Sequence, residues 1–264
     1  MKNRVLIIGL DGCRSDALLV ADTPNIDKLW KNGAFNFYAK TDPITVSGPA
    51  WTTMLTGVFS NKHGILDNEY DAEPKYPHFF NVAKKCNPEL SIASIPNWGP
   101  INNILKYGEN DIVISPDSSC GVTELVVKTL HEKNPDVIFV QFDDIDAAGH
   151  SNGYGPHIPN YLKSIEKMDG FVGEIISALE NRKTLDEENW LIIITSDHGG
   201  FAKRHGENSI QEETVFLILN GKSVIKGDIE EPPTVADVAV TALAHLDIKI
   251  DPKWNLDGKA VSLK

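Results

Sequence analysis

Two hydrophobic patterns alternate along the chain. Short continuous apolar runs at residues 5–10 (VLIIGL), 91–95, 136–142, 190–195 and 214–219 have the character of strands buried on both faces. Helical patterns lie between them. Thr23-Pro24 opens one with a cap residue and a first-turn proline, and Gly33 closes it. A second covers residues 123–133. A long third starts near Pro159 and sets Tyr161, Ile165, Met168, Val172, Ile175, Ile176 and Leu179 on one stripe. Strands alternating with helices predict an α/β fold, a largely parallel sheet covered by helices on both faces. With no internal repeat, low-complexity tract or long linker, residues 1–264 are expected to form a single domain.

Composition narrows the class. The 264 residues are 41% hydrophobic, which excludes disorder and fibre as the main state. The net charge of -12 is spread without a long acidic run or a basic stripe, so a polymeric nucleic-acid partner is not expected. The apolar run near the start stops at Gly9, too short for a signal-peptide core, and no stretch is long enough to span a bilayer. Cys13, Cys86 and Cys120 are odd in number and lack CxxC spacing, which speaks against a disulfide framework or a cysteine zinc site. The expectation is a soluble, cytoplasmic protein.

In parallel sheets ligands gather beyond the carboxyl ends of the strands, so polar clusters there carry the chemistry. Four stand out: Asp11-Gly12; DDIDAAGHSNGYG, residues 143–155; SDHGG, residues 196–200; and His205-Gly206. Asp197 and His198 share a target only if the strand has ended, which Gly199-Gly200 permits. Asp146 and His150 face one point if their segment makes a helical turn. Each signal has an ordinary alternative: Asp11 as a turn former, Asp197-His198 as a surface turn, His205 as solvated beside Lys203 and Arg204. Jointly they supply three carboxylates and three imidazoles, ligands suited to zinc or similar divalent ions.

In order, spacing and residue type these motifs resemble the alkaline phosphatase superfamily, most nearly its type I phosphodiesterase/nucleotide pyrophosphatase branch. TPNIDKLWKNGA, MLTGVFSNKHGILDN, TVADVAVTALAHLDI and LDGKAV extend the likeness over almost the whole chain. The resemblance implies a three-layer sandwich with an alkaline phosphatase-like core and two divalent metals, zinc first, with manganese or other ions as alternatives. One site would use Asp146, His150 and His205. The other would use Asp11, Asp197 and His198, with the nucleophile's oxygen as a further ligand. Relative to Pro49 and Gly57, the nucleophile's place falls on Ser47, which would carry a phosphoseryl intermediate. Thr45 lies outside the pattern, and Thr52, Thr53 and Thr56 are expected inside a helix, bonding back to the preceding turn. Asn68 of HGILDN and the Gly48 N–H would hold the non-bridging phosphate oxygens.

Sulfatases of the superfamily carry C/S-x-P-x-R, and here Trp51 stands where the arginine belongs. SIPNWGPINN lacks the K-x-R of one monoesterase group. The expected substrate is therefore a small phosphodiester or pyrophosphate, nucleotides included. A phosphomonoesterase is the first alternative, since Lys62, Lys106, Lys203 or Arg204 could supply the extra cation; a phosphotransferase and a non-catalytic metal- or nucleotide-binding relative are the others. Residues 155–197 leave no room for a substantial cap. Packing is favoured over base stacking for Trp51, Tyr70, Trp98 and Tyr154. Arg14 is expected to pair with Asp16, Cys13 to be a small buried residue and His63 to shape the HGILDN turn. Asp143 and Asp144 receive no role, and a homodimer is left open.

Overall fold

The computed structural model describes residues 1–69, 74–105 and 111–264. Its strands, in chain order, are β1 (Lys2–Leu10), β2 (Ala34–Lys40), β3 (Ile92–Pro96), β4 (Ile112–Val113), β5 (Val137–Phe142), β6 (Glu188–Thr195), β7 (Thr214–Gly221) and β8 (Gly227–Asp228). They form one sheet in the order β4-β3-β5-β1-β6-β7-β2-β8. Every pairing is parallel except those of β7, which runs antiparallel to both β6 and β2. The sheet is thus largely parallel, as the alternation of strands and helices requires. The direction of β7 is not encoded in its apolar run, because a strand buried on both faces reads the same either way.

Alternate side chains of the central strands feed two cores. Val5 and Ile7 of β1 pack with Trp51, Met54, Leu55, Phe79 and Leu243, from the helices Ser47–Thr56, Phe79–Cys86 and Asp237–His245. Leu6, Ile8 and Leu10 pack on the other face with Ile26, Val126, Ile165 and Met168, from Pro24–Lys31, Ser119–Glu132 and Pro159–Glu180. This is the α/β three-layer sandwich, and all seven residues of the Tyr161 to Leu179 stripe are buried. No helix among the described residues is long and apolar enough to cross a membrane.

One local expectation fails. Thr23 occupies the N-cap position of Pro24–Lys31, but its hydroxyl makes no cap bond. Asp169 of the long helix supplies the acceptors instead: Oδ2 takes the Asn25 N–H at 3.2 Å and Oδ1 the Ile26 N–H at 2.8 Å. A carboxylate at a helix N-terminus satisfies orphan donors and complements the helix dipole. Asp169→Ala should therefore lower stability by about 2 kcal/mol, leaving the buried Ile26 N–H and the part-buried Asn25 N–H unpaired, read as a lower urea midpoint at unchanged slope. An unchanged midpoint would show that Thr23 or water takes over.

Candidate metal-binding active site

Asp11 follows the last residue of β1, and its N–H continues the ladder to the Phe142 carbonyl at 3.0 Å. Gly12 then turns the chain with φ at 65°, and a Cβ there would run into the backbone and side chain of Asp146. Glycine is needed for both reasons. The helix Asp144–Asn152 starts directly after β5 and sets Asp146 and His150 one turn apart. Asp197 and His198 come just past the end of β6. Gly199 and Gly200 serve by their size and not by an unusual φ: a Cβ would strike the Gln211 carbonyl or the Tyr154 ring. Ser47 opens the fully buried helix Ser47–Thr56, which Gly57 ends with φ at 75°.

These elements bring the predicted residues together. The ligand atoms of Asp11, Asp197 and His198 lie within 4.8 Å of one another, and so do those of Asp146, His198 and His205. His198 Nε2 lies 3.3 Å from Asp197 Oδ2, 3.7 Å from Asp11 Oδ1 and 3.1 Å from Ser47 Oγ. Its ring stacks on His205 with centroids 3.8 Å apart, so it belongs to both groups. His150 stands at the rim, its side chain 46% exposed, with Nε2 3.2 Å from Asp146 Oδ2.

The supporting shell decides what the cluster can hold. Nδ1 of His150, His198 and His205 faces the carbonyls of Lys203 (3.0 Å), Gly199 (2.8 Å) and Thr45 (2.8 Å). A carbonyl only accepts, so each Nδ1 carries a proton and each Nε2 is turned toward the carboxylates. Asp197 Oδ1 accepts the Gly12 N–H at 3.1 Å, and Asp146 Oδ1 the Tyr154 hydroxyl at 2.5 Å. Asp11 Oδ2 accepts from Trp51 Nε1 at 3.0 Å and Gln141 Nε2 at 2.8 Å. Asp11 Oδ1 and Asp197 Oδ2 are buried with no hydrogen-bond partner among the described residues. Buried carboxylate oxygens facing imidazole nitrogens need a cation, and this nitrogen and oxygen set fits divalent metals.

The type I phosphodiesterase/nucleotide pyrophosphatase family model matches residues 5–99 and 93–217. The chain belongs to this family. Human bis(5'-adenosyl)-triphosphatase ENPP4 is 28% identical over 221 residues, 74% of this chain and 47% of that protein. Human ectonucleotide pyrophosphatase/phosphodiesterase family member 7 is 23% identical over 228 residues, 75% of this chain and 48% of the relative. The chain thus spans about half the length of these relatives. Murine ectonucleotide pyrophosphatase/phosphodiesterase 5 superposes with a TM-score of 0.77 at 17% identity, over 96% of this chain and 99% of that one. A 2-O GAG sulfatase gives 0.79 at 12% identity, over 98% and 73%. At these identities the two structures attest the fold.

The candidate ligand cluster is electrostatically tense. Burial, with repulsion from Asp197 and Asp146, pushes the Asp11 carboxyl well up. Burial also pushes Asp197 up to about 8, with Asp146 adding to it and the Gly12 N–H opposing. Asp146 is raised by burial, yet the His150 hydrogen bond and the neighbouring imidazoles bring it down to about 2. The same hydrogen bond raises His150 to about 9, whereas burial lowers His198 and His205.

Other expectations resolve individually. Thr52 and Thr56 donate to the Gly48 and Thr52 carbonyls, both at 2.7 Å, as helix hydroxyls do. Thr53 differs: it donates to Asp42 at 2.7 Å and faces His63 Nε2 at 3.0 Å, while His63 Nδ1 accepts the Ile65 N–H and so shapes the turn. Arg14 pairs with Asp16 at 2.6 Å, and Cys13 is buried. Asp144 takes the Ser119 hydroxyl and Lys167, at 2.7 Å from the latter, which makes it a tie between helices. Asn68 Oδ1 accepts the Gly48 N–H at 2.7 Å, so the two groups expected at the phosphate oxygens are adjacent and hold each other. Lys62 is engaged by Asp257, Lys203 by the Ser151 carbonyl and Arg204 by Glu207. Tyr70 and Lys106 lie outside the described residues.

Sequence reasoning missed Gln141, although a polar residue inside the apolar run VIFVQF was a visible signal. It also missed the supports from Tyr154 and the Thr45 carbonyl. Tyr154 fits because Gly149 and Gly200 leave space for its ring.

Proposed function

We propose that the protein is a two-metal phosphoric ester hydrolase that cleaves small phosphodiesters and pyrophosphates, nucleotide substrates among them, through a phosphoseryl intermediate on Ser47. The observation that carries this reading is Ser47, a residue only 7% exposed that opens a helix and sets its hydroxyl 3.1 Å from the imidazole shared by both candidate ligand groups. Family membership supports it, as does a relative named for bis(5'-adenosyl)-triphosphatase activity. Asp11, Asp197 and His198, with Ser47 Oγ, would hold one divalent ion, and Asp146, His150 and His205 the other; zinc suits this donor set best. When bound, such ions lower the cost of an ionised serine oxygen and of negative charge gathering at phosphorus.

The chain's own groups do the rest. Ser47 Oγ, its proton lost to solvent, attacks phosphorus in line with the departing oxygen, an alkoxide for a diester or a phosphate for a pyrophosphate, and the N-terminal end of its helix favours the anion. Asn68 swings off the Gly48 N–H, freeing both to donate to the non-bridging oxygens. Water then cleaves the bond from phosphorus to Ser47 Oγ, restoring the serine hydroxyl and releasing the remaining half of the substrate as a phosphate monoester. We read residues 1–264 as one catalytic domain without a substantial cap. Cytoplasmic residence is supported by the exposed, unpaired Cys86 and Cys120, which suit a reducing compartment.

A singly charged diester phosphoryl group is favoured over a doubly charged monoester by two observations. Asp11 Oδ2 is already saturated by two N–H donors, so it has nothing left for a further cation. Lys62, Lys203 and Arg204 are each committed to other partners. On metal-loaded protein, kcat/KM for bis(p-nitrophenyl) phosphate and a nucleotide p-nitrophenyl ester should exceed that for p-nitrophenyl phosphate by about tenfold or more, a barrier difference of about 1.4 kcal/mol. The reverse order would make the protein a phosphomonoesterase.

A further inference from the structure

We infer that Trp51 and Gln141 are positioning residues for the first ligand carboxylate, fixing Asp11 so that it serves one metal through Oδ1 alone and in register with Ser47. The inference rests on the two-metal reading above and concerns side chains to which that reading gives no part.

The geometry is built from three elements. Residues 5, 7, 9 and 11 of the first strand and its extension share a face, and Gly9 pairs with Gln141 on the neighbouring strand. Trp51 lies over this spot. A Cβ at Gly9 would fall inside its indole ring, so the missing side chain is what lets the ring reach Asp11. Trp51 is fully buried, and its ring meets Phe139 edge-on at 5.8 Å. An indole nitrogen can only donate. The Gln141 amide has no freedom to flip either: Oε1 accepts the Trp98 N–H at 2.8 Å, which leaves Nε2 to donate to Asp11. Two fixed donors therefore converge on Oδ2 and leave Oδ1 as the partnerless oxygen facing His198.

Trp51 also couples ligand and nucleophile. Ser47 and Trp51 are four apart on one helix, so they project from the same face one turn apart. One end of that turn carries the hydroxyl 3.1 Å from His198, and the other is hydrogen-bonded to Asp11. A rotation of the helix would move Ser47 and Trp51 together, so the Trp51 bond to Asp11 opposes it. This gives Trp51 a reason to be a tryptophan beyond filling the core: phenylalanine fills nearly the same space and lacks the N–H.

The test is calorimetric titration of chelator-stripped protein with Zn²⁺, for wild type, Trp51→Phe, Gln141→Leu and Gln141→Glu, with steady-state kinetics beside it. Wild type should bind two ions. Trp51→Phe and Gln141→Leu should each weaken one of the two by about 10- to 100-fold, the usual effect of losing a ligand's supporting hydrogen bond, and leave the other unchanged, with kcat lowered and KM near wild type. Gln141→Glu, closer in shape to glutamine than leucine is, should lose more than Gln141→Leu because it sets a second carboxylate against Asp11. A packing role would rank the two in the opposite order. Should Trp51→Phe fail to fold, the two Gln141 variants decide alone. Unchanged affinities in all variants, or equal losses at both sites, overturn the inference while leaving the two-metal reading in place. A wild type that binds no ion overturns both.

Discussion

Ser47→Ala is expected to lower turnover on every phosphoric ester by about 10³- to 10⁶-fold, the range seen when a catalytic serine is removed, without unfolding the protein. No neighbouring hydroxyl can replace it. Thr52 and Thr56 are spent on helix carbonyls, Thr53 on Asp42, and Thr45 receives the Gly206 N–H at 3.1 Å. The substitution removes one oxygen from the first residue of a helix whose core contacts come from Trp51, Met54 and Leu55, so the melting temperature should stay close to wild type. Thr53→Ala is the contrasting variant: it cuts the buried link among Asp42, Thr53 and His63 and should cost stability while leaving the chemical step. The checks are steady-state rates, thermal melts, and mass spectrometry for a phosphoryl adduct on the Ser47 peptide of wild type after acid quench. Activity of Ser47→Ala within tenfold of wild type would mean that water attacks phosphorus directly, and the phosphoseryl pathway would fall.

The contrast between Ser47 and its neighbours shows what a sequence carries. The Tyr161 to Leu179 stripe was legible because a helix repeats its buried face every three to four residues. Three of the four candidate ligand motifs were legible because each sits where an apolar run stops; His205 lies further along the loop after β6. β4 and β8, two residues each, are too short to make a pattern, and β2 was hidden by a half-exposed face and an irregularity between Asn36 and Ala39. The supporting shell was least legible, because its partners are far apart in the chain. Trp51 meets Asp11 across 40 positions and Thr45 meets His205 across 160. Local reading could say that Trp51 was not the arginine of a sulfatase. It could not say that the indole N–H grips Asp11, since that follows from Gly9 leaving space on another element. Likewise, the sharing of His198 between two ligand groups comes from its stacking on His205, which no spacing encodes.

Removing divalent ions should abolish turnover and also destabilise the fold, by a margin that widens as pH rises from 6.5 to 8. Asp197 has its folded pKa pushed up to about 8, against about 3.9 for an unperturbed aspartate, and Asp11 is shifted the same way. Without a cation the folded chain therefore keeps a proton on this pair that the unfolded chain has shed. The folded state then binds more protons than the unfolded one, so stability falls as pH rises, until the folded group itself ionises near pH 8. His150, raised to about 9, acts in the same direction over this window. His198 and His205, lowered by burial, change stability only below the ordinary histidine pKa of about 6.5, which is why the window opens there. Bound cations compensate the carboxylate charge and remove the proton requirement, so metal-loaded protein should be nearly flat over the same range. One linked proton is worth about 1.4 kcal/mol per pH unit, so the gap in melting temperature should widen by up to roughly 4–8 °C between pH 6.5 and 8. Melts with and without chelator measure it, and Asp197→Asn, which has no proton to release, should flatten the slope of the chelated protein. A gap that is constant or shrinks with pH would mean that the carboxylates are ionised without help and that their burial demands no cation.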